Sequence, residues 1–328
     1  MSGNYIEIKD ISKFYPVKGS GTLLGGKGSR KLVKAVNGVS VGMAQGEVLG
    51  VIGESGCGKS TLARLLTRLE TPTAGDVFIG GVSTGKMLEQ DAKKFYRTVQ
   101  IVFQNPYDAF TPRDTIEQLL SRPLKNHGIC PDRASRHERC AELLESGNLR
   151  PAEDILKRYP HELSGGQLQR IAILRAMSLD PAVIVADEPV SMLDVSVRAD
   201  IINMLLEQSA SKKVTVVFIS HDIALTRHVA DNIAVMYLGR IVEYGAAQTI
   251  IESPLHPYTQ ALISNCASID IADRVEPIRI DGEPPTPIDP GPGCFFADRC
   301  PVAEEICFRE YPETAARAGN HRVACHKA

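Results

Sequence analysis

The chain has 328 residues, a formal net charge of -2 and eight cysteines. That length supports a large core and more than one lobe, and the charge balance excludes a general basic field for nucleic acid. No apolar run approaches the ~20 residues that span a bilayer, and the start MSGNYIEIKD lacks a signal-peptide core, so the expected location is the cytoplasm.

Residues 5–11 (YIEIKDI) alternate apolar and polar and predict an exposed antiparallel strand. Residues 19–31 (GSGTLLGGKGSRK) have no phosphate-loop spacing and predict a flexible loop, after which a strand resumes over 33–41. Residues 47–52 (EVLGVI) predict a buried strand. It runs into Gly53-Glu54-Ser55-Gly56-Cys57-Gly58-Lys59-Ser60-Thr61 and then into an apolar-periodic helix over 62–69. Strand, GxxxxGK[ST] and helix in register make a phosphate-binding loop. Its glycines let the backbone wrap closely and turn N–H groups inward, and the helix start adds partial positive charge. Lys59 supplies a point charge and the Ser60 hydroxyl a hard oxygen for Mg²⁺.

A turn and short strand follow over 72–81, and another strand over 98–103 ends at Gln104. Taken alone, Gln104 is a strand-end residue; directly after a buried strand it is also a candidate ligand or water positioner. Residues 115–157 are amphipathic and helical, with turns near 128–131 and 147–151, and include a helix over 133–146. This predicts a helical subdomain inserted into an α/β core. Leu163-Ser164-Gly165-Gly166-Gln167 precedes a helix over 168–177, with Ser164 as its N-cap and bare glycine amides beside it. The all-apolar run 182–186 predicts a central parallel strand that delivers Asp187 and Glu188 at its carboxyl end, where ligands bind in open α/β sheets. Adjacent strand residues point to opposite sides, which suits two acids with separate tasks. A helix over 196–209 and a strand over 214–219 lead to Ser220-His221-Asp222; short strands at 233–237 and 240–244 flank Gly239 as a hairpin.

In order, GESGCGKST, Gln104, LSGGQ, VIVADEP, Leu193-Asp194 and His221 resemble the Walker A, Q-loop, signature, Walker B, D-loop and H-loop of ATP-binding cassette (ABC) ATPases. The resemblance spans about residues 5–244. It implies an α/β P-loop NTPase core with an antiparallel β subdomain over 1–104 and 176–250, a helical signature subdomain over 105–175, and an extension over 251–328. It also implies roles. Tyr15 stacks on adenine, and residues 53–61 hold ATP. Ser60, Gln104 and Asp187 serve Mg²⁺. Glu188 is the general base, His221 bridges the γ-phosphate and the catalytic centre, and Gln104 senses a membrane partner. Ser164, Gly165, Gly166 and Gln167, with Asp194, face the nucleotide of a second cassette. Met192 and Arg198 depart from the usual pattern without removing a catalytic group. Phosphoryl transfer needs positioning and charge neutralisation, which such a set supplies.

Residues 253–259 (SPLHPYT) and 293–301 further resemble the oligopeptide/dipeptide permease branch, within which the long N-terminal loop most resembles that of the second ATPase of a heterodimeric pair. In the proline-rich tail, Cys294, Cys300, Cys307 and Cys325 have spacings wider than the tight CxxC pairs of most zinc sites. Four thiolates suit a [4Fe–4S] cluster or Zn²⁺, and unmetallated thiols are the third reading; some members of the branch carry iron–sulfur clusters, so the resemblance implies the cluster. His321 and His326 are alternative ligands. The expected function is the ATP-hydrolysing subunit of a dipeptide or oligopeptide importer on the cytoplasmic face of a bacterial inner membrane. Its expected partners are a second ATPase subunit, two transmembrane permeases and, through them, an extracytoplasmic peptide-binding protein. The alternatives are an importer of nickel, glutathione or sugar, or a soluble ABC ATPase acting on nucleic acid or ribosomes. The missing coiled-coil insertion, the single cassette and the charge argue against the last of these.

Overall fold

A computed structural model describes residues 3–17, 31–265, 277–317 and 319–328. The loop expected over 19–31 lies outside the described residues except for Lys31, and Cys266 also lies outside them. The chain divides into two compact units, one of residues 1–43, 48–83 and 218–328, the other of residues 44–47 and 84–217.

The first unit begins with β1 (Ile6–Pro16), β2 (Leu32–Met43), β3 (Val48–Ile52), α1 (Lys59–Leu66), β4 (Ala74–Ile79) and β5 (Val82–Ser83). An antiparallel sheet runs β2-β1-β4-β5. Alternation explains β1: Ile6 and Ile8 are buried while Glu7 and Lys9 are not. The strand continues past the expected end to Pro16, with its register to β2 shifting after Ile8. Asp10 there takes a φ of +47°, and its backbone N–H donates to Ser40 Oγ.

The second unit holds α2 (Thr84–Gln90), α3 (Ala92–Thr98), β6 (Val99–Val102), α4 (Ile116–His127), α5 (Arg133–Ser146), α6 (Ala152–Lys157), α7 (Gly165–Met177), β7 (Val183–Asp187) and α8 (Val195–Lys212). Strand β8 (Thr215–Ile219) carries the chain back to the first unit. Strands β6 and β7 are parallel, with Val102 opposite Ala186. Capping fixes the helix boundaries: Thr115 and Gln118 form a capping box on α4, and the Asp132 carboxylate accepts from Ser135 N at the start of α5.

The first unit resumes with α9 (Ile223–Val229), β9 (Asn232–Tyr237), β10 (Arg240–Ala246), α10 (Ala247–Glu252), α11 (Pro257–Ser264), α12 (Glu305–Arg309), β11 (Ala315–Ala316) and β12 (Arg322–Val323). Its second sheet runs β11-β12-β10-β9-β3, with β9 antiparallel to β10 and parallel to β3. The cysteine-bearing extension is built into this unit. Phe296 is buried in one cluster with Ile52, Val235, Tyr237 and Tyr258. Glu243 of β10 is also buried, and its carboxylate accepts from Leu255 N (2.7 Å) and His256 N (3.0 Å) and pairs with His321 Nε2 at 2.7 Å. A buried carboxylate is tolerable when its oxygens are satisfied in this way. His321 therefore packs on Glu243, not among the cysteines, and the expectation that it is an alternative metal ligand is corrected.

Within the helical part of the second unit, His137 of α5 lies between two acids. Its Nδ1 is 3.0 Å from Glu117 of α4 and its Nε2 3.1 Å from Glu153 of α6. The bond to Glu117 leads in raising the imidazole pKa above its ordinary 6.5. A raised folded-state pKa stabilises fully below the unfolded value, and the gain disappears as pH climbs through the folded one. His137→Gln should therefore cost more stability near about pH 5.5 than near about pH 8.5, by less than ~1 kcal/mol because the ring is partly solvated. Urea melts at the two pH values measure this; an equal loss at both would remove the ion-paired role.

Candidate functional site

In the first unit the phosphate loop leaves β3 at Gly53 and enters α1 at Lys59. Two glycines are demanded by close backbone approach. Gly53 has a φ of +154°, and a Cβ there would lie 2.2 Å from Met236 O; Gly58 has a φ of +107°, and a Cβ would lie 2.1 Å from Ala35 O. Cys57 O accepts from Gly239 N at 2.8 Å, so the turn between β9 and β10 backs the loop. The Lys59 ammonium is buried and donates to Gly53 O (2.7 Å) and Glu54 O (3.0 Å), with Cys57 Sγ at 3.8 Å. The Cys57 thiol is itself buried, and that burial raises its pKa. Ser55, Gly56 and Ser60 are exposed. A tight glycine-bearing turn thus delivers one buried cation at a helix start, a setting chemically fitted to a polyphosphate.

Two further candidates belong to the same unit. Ser220 N donates to Val51 O at 3.1 Å, which sets the following His221, exposed, at the end of the sheet from which the loop departs. Tyr15 of β1 hydrogen-bonds through its hydroxyl to Glu70, and Lys13 Nζ stands 5.2 Å over its ring. Burial first, and then the Glu70 carboxylate, push its phenol up to about 12, while Thr61 at the end of the loop acts in the opposite sense.

In the second unit the parallel pairing of β6 and β7 brings Gln104 to Glu188. Gln104 Nε2 donates to Glu188 Oε2 (2.9 Å) and to Ser191 Oγ (3.2 Å), and Ser191 Oγ donates to Glu188 O at 3.2 Å. Ser191 is absent from the sequence-predicted set. Its only signal is its place three residues after Glu188. Strand β7 ends at Asp187, and Glu188 takes a φ of +47°. Strand alternation therefore does not separate the two acids; a left-handed residue turns Glu188 instead, a strained conformation typical of functional positions.

The signature stretch begins α7. Ser164 Oγ accepts from Gln167 N at 3.3 Å, and Gln167 Oε1 accepts from Ser164 N at 3.0 Å. A Cβ on Gly165 would meet Leu193 at 3.5 Å, and one on Gly166 would meet Val197 at 2.8 Å. The start of α8 thus packs on the signature glycines, and Asp194, its exposed N-cap, shares their neighbourhood without capping through its side chain. Met192 and Val195 beside it are 64% and 79% exposed, large apolar groups turned to solvent at a polar turn.

The four tail cysteines line one pocket with Phe296 and His326. Cys294 N donates to Cys307 O at 2.7 Å. Burial, then the nearby Cys307, Cys325 and Cys300, push the Cys294 thiol up to about 11. Among the described residues no three His, Cys, Asp or Glu side chains converge as a metal site.

The sequence profile of the family described as ABC transporter matches residues 36–191, and that of the oligopeptide/dipeptide transporter C-terminal region matches residues 242–307. The oligopeptide transport ATP-binding protein AppF of Bacillus subtilis (strain 168) is 42% identical over 98% of this chain and 96% of its own. The dipeptide transport ATP-binding protein DppF of Escherichia coli (strain K12) is 44% identical over 98% and 93%. The solved dimeric ATP-binding cassette MJ0796, in a post-hydrolysis state bound to ADP and Pi, aligns with a TM-score of 0.62 and 27% identity over 74% of this chain and 98% of its own. The chain belongs to the ATP-hydrolysing ABC transporter ATP-binding proteins, in the oligopeptide/dipeptide branch.

Proposed function

We propose that this chain is the ATPase subunit of an importer of dipeptides or oligopeptides. The observation that carries the reading is a complete phosphate loop in the same unit as an oligopeptide/dipeptide-type C-terminal region. Residues 53–61 hold the phosphates of ATP, with Lys59 neutralising their charge. Ser60, Asp187 and Gln104 serve Mg²⁺. Tyr15 meets the adenine, and His221 contacts the γ-phosphate. Glu188 polarises the attacking water, and its hydrogen bond from Gln104 supports that assignment, because a positioned base must be oriented as well as basic.

Residues 105–175 form the signature subdomain, whose Ser164, Gly165, Gly166 and Gln167, with Asp194, face the nucleotide of a second ATPase. The exposed Met192 and Val195 support an interface there. Two transmembrane permeases complete the importer, with an extracytoplasmic peptide-binding protein acting through them. Among the described residues no helix is long and apolar enough to cross a membrane. We place the chain at the cytoplasmic face of the inner membrane, held there by the permeases.

The extension over 251–328 carries Cys294, Cys300, Cys307 and Cys325 as ligands of a [4Fe–4S] cluster, with Zn²⁺ the lesser alternative. The observation behind this reading is that all four cysteines line one pocket; among the described residues no three donors converge as a metal site, so a bound cluster would have to draw the sulfurs together. When bound, such a group staples a loop-rich segment that has little apolar core of its own.

Glu188→Gln should keep ATP binding while lowering turnover of the assembled transporter by about 10²- to 10⁴-fold; turnover like that of the unmutated protein would refute the base assignment. Anaerobic purification should yield iron and visible iron–sulfur absorbance, both lost in Cys300→Ser. A colourless, iron-free protein removes the cluster, and stoichiometric zinc would point to the alternative.

A further inference from the structure

Glu54, the second residue of the phosphate loop, is held by partners far along the chain. Its carboxylate receives two hydrogen bonds from Arg299, Nη1 to Oε2 at 2.8 Å and Nη2 to Oε1 at 3.0 Å. Its backbone N–H donates to the Tyr258 hydroxyl at 2.8 Å, and its carbonyl accepts from Lys59 Nζ at 3.0 Å. Side chain, amide and carbonyl are thus all engaged, two of them by the C-terminal extension.

Arg299 is well placed to act as a fixed point. Its side chain is only 8% exposed, and it also donates to the Tyr237 hydroxyl (3.2 Å), Gly282 O (2.8 Å) and Asp281 O (3.3 Å). It ends a single 3-10 turn that follows Phe296, whose ring packs against Tyr237 and Tyr258 at centroid distances of 5.3 and 5.4 Å. A two-pronged guanidinium–carboxylate pair fixes direction as well as distance. A lysine at this position would supply charge without the fork.

We infer that Arg299 is a positioning residue for nucleotide binding: by fixing Glu54 it holds the first turn of the phosphate loop, and with it the seat of the Lys59 ammonium, in the binding conformation. This rests on the reading that residues 53–61 hold ATP. A loop ordered in advance binds its ligand more tightly because less freedom is lost on binding. The contact acts on affinity, since Arg299 donates to the loop and not to reacting atoms.

The test uses the full chain, a fluorescent ATP analogue with Mg²⁺, and steady-state hydrolysis. Arg299→Met should raise the analogue's Kd and the KM for ATP about tenfold, with kcat at saturation changed less than about twofold. Glu54→Gln should raise Kd in the same direction, and the double variant should be no worse than the weaker-binding single variant, because the two changes break one contact. Arg299→Lys should recover part of the affinity. Unchanged Kd in both single variants, or additive losses in the double, would overturn the inference, as would a lower melting temperature with unaltered Kd. If Arg299→Met does not fold, Glu54→Gln, which keeps the loop's volume, decides the matter through the same Kd. Failure of the unmutated chain to bind the analogue would instead strike the ATP-binding reading itself.

Discussion

The phosphate loop depends on a contact between backbones. Met236 O and Ala35 O stand where side-chain carbons of Gly53 and Gly58 would have to be, so the loop can wrap only because those positions have none. Strand β9, strand β2 and the turn at Gly239 form the wall behind it, and Cys57 O is bonded to that turn. The loop's path is in this sense a product of sheet packing, decided by strands distant in sequence.

Charge within the second unit is organised differently. There a parallel strand pair sets the ends of β6 and β7 side by side, and a single amide, Gln104, links the backbone-strained Glu188 to the hydroxyl of Ser191. The hydrogen bond from this amide fixes the direction of the carboxylate, as a group expected to act on a single water requires.

How far these arrangements can be read from sequence follows from how local their causes are. The helix over 133–146 is legible because Asp132 and Gly147 bound it, the helix after Ser164 because Ser164 and Gln167 cap each other, and the hairpin of β9 and β10 because Gly239 sits in its turn with a φ of +81°. Helices α2 and α3 are not anticipated. Between Thr84 and Thr98 only Thr84 and Phe95 are buried, so the stretch has almost no apolar period. The twist at Glu188 is likewise hidden, because a non-glycine residue with positive φ leaves no mark in composition. Arg299 looks like one more charge in a cysteine-rich tail; its partner is 245 residues earlier in the chain. His321 shares this history, being held by Glu243, 78 residues before it.

The last two strands also settle a question of solubility. Without them β10 would present a run of unpaired amides and carbonyls along the side of its sheet. Strand β12 pairs with it through Glu243 opposite Val323 and Tyr244 opposite Arg322, and β11 then pairs with β12. Each of these strands is two residues long, and β11, Ala315–Ala316, forms the border of the sheet. So short a border gives an incoming strand little to add to, which guards the sheet against edge-to-edge aggregation with other copies of the chain.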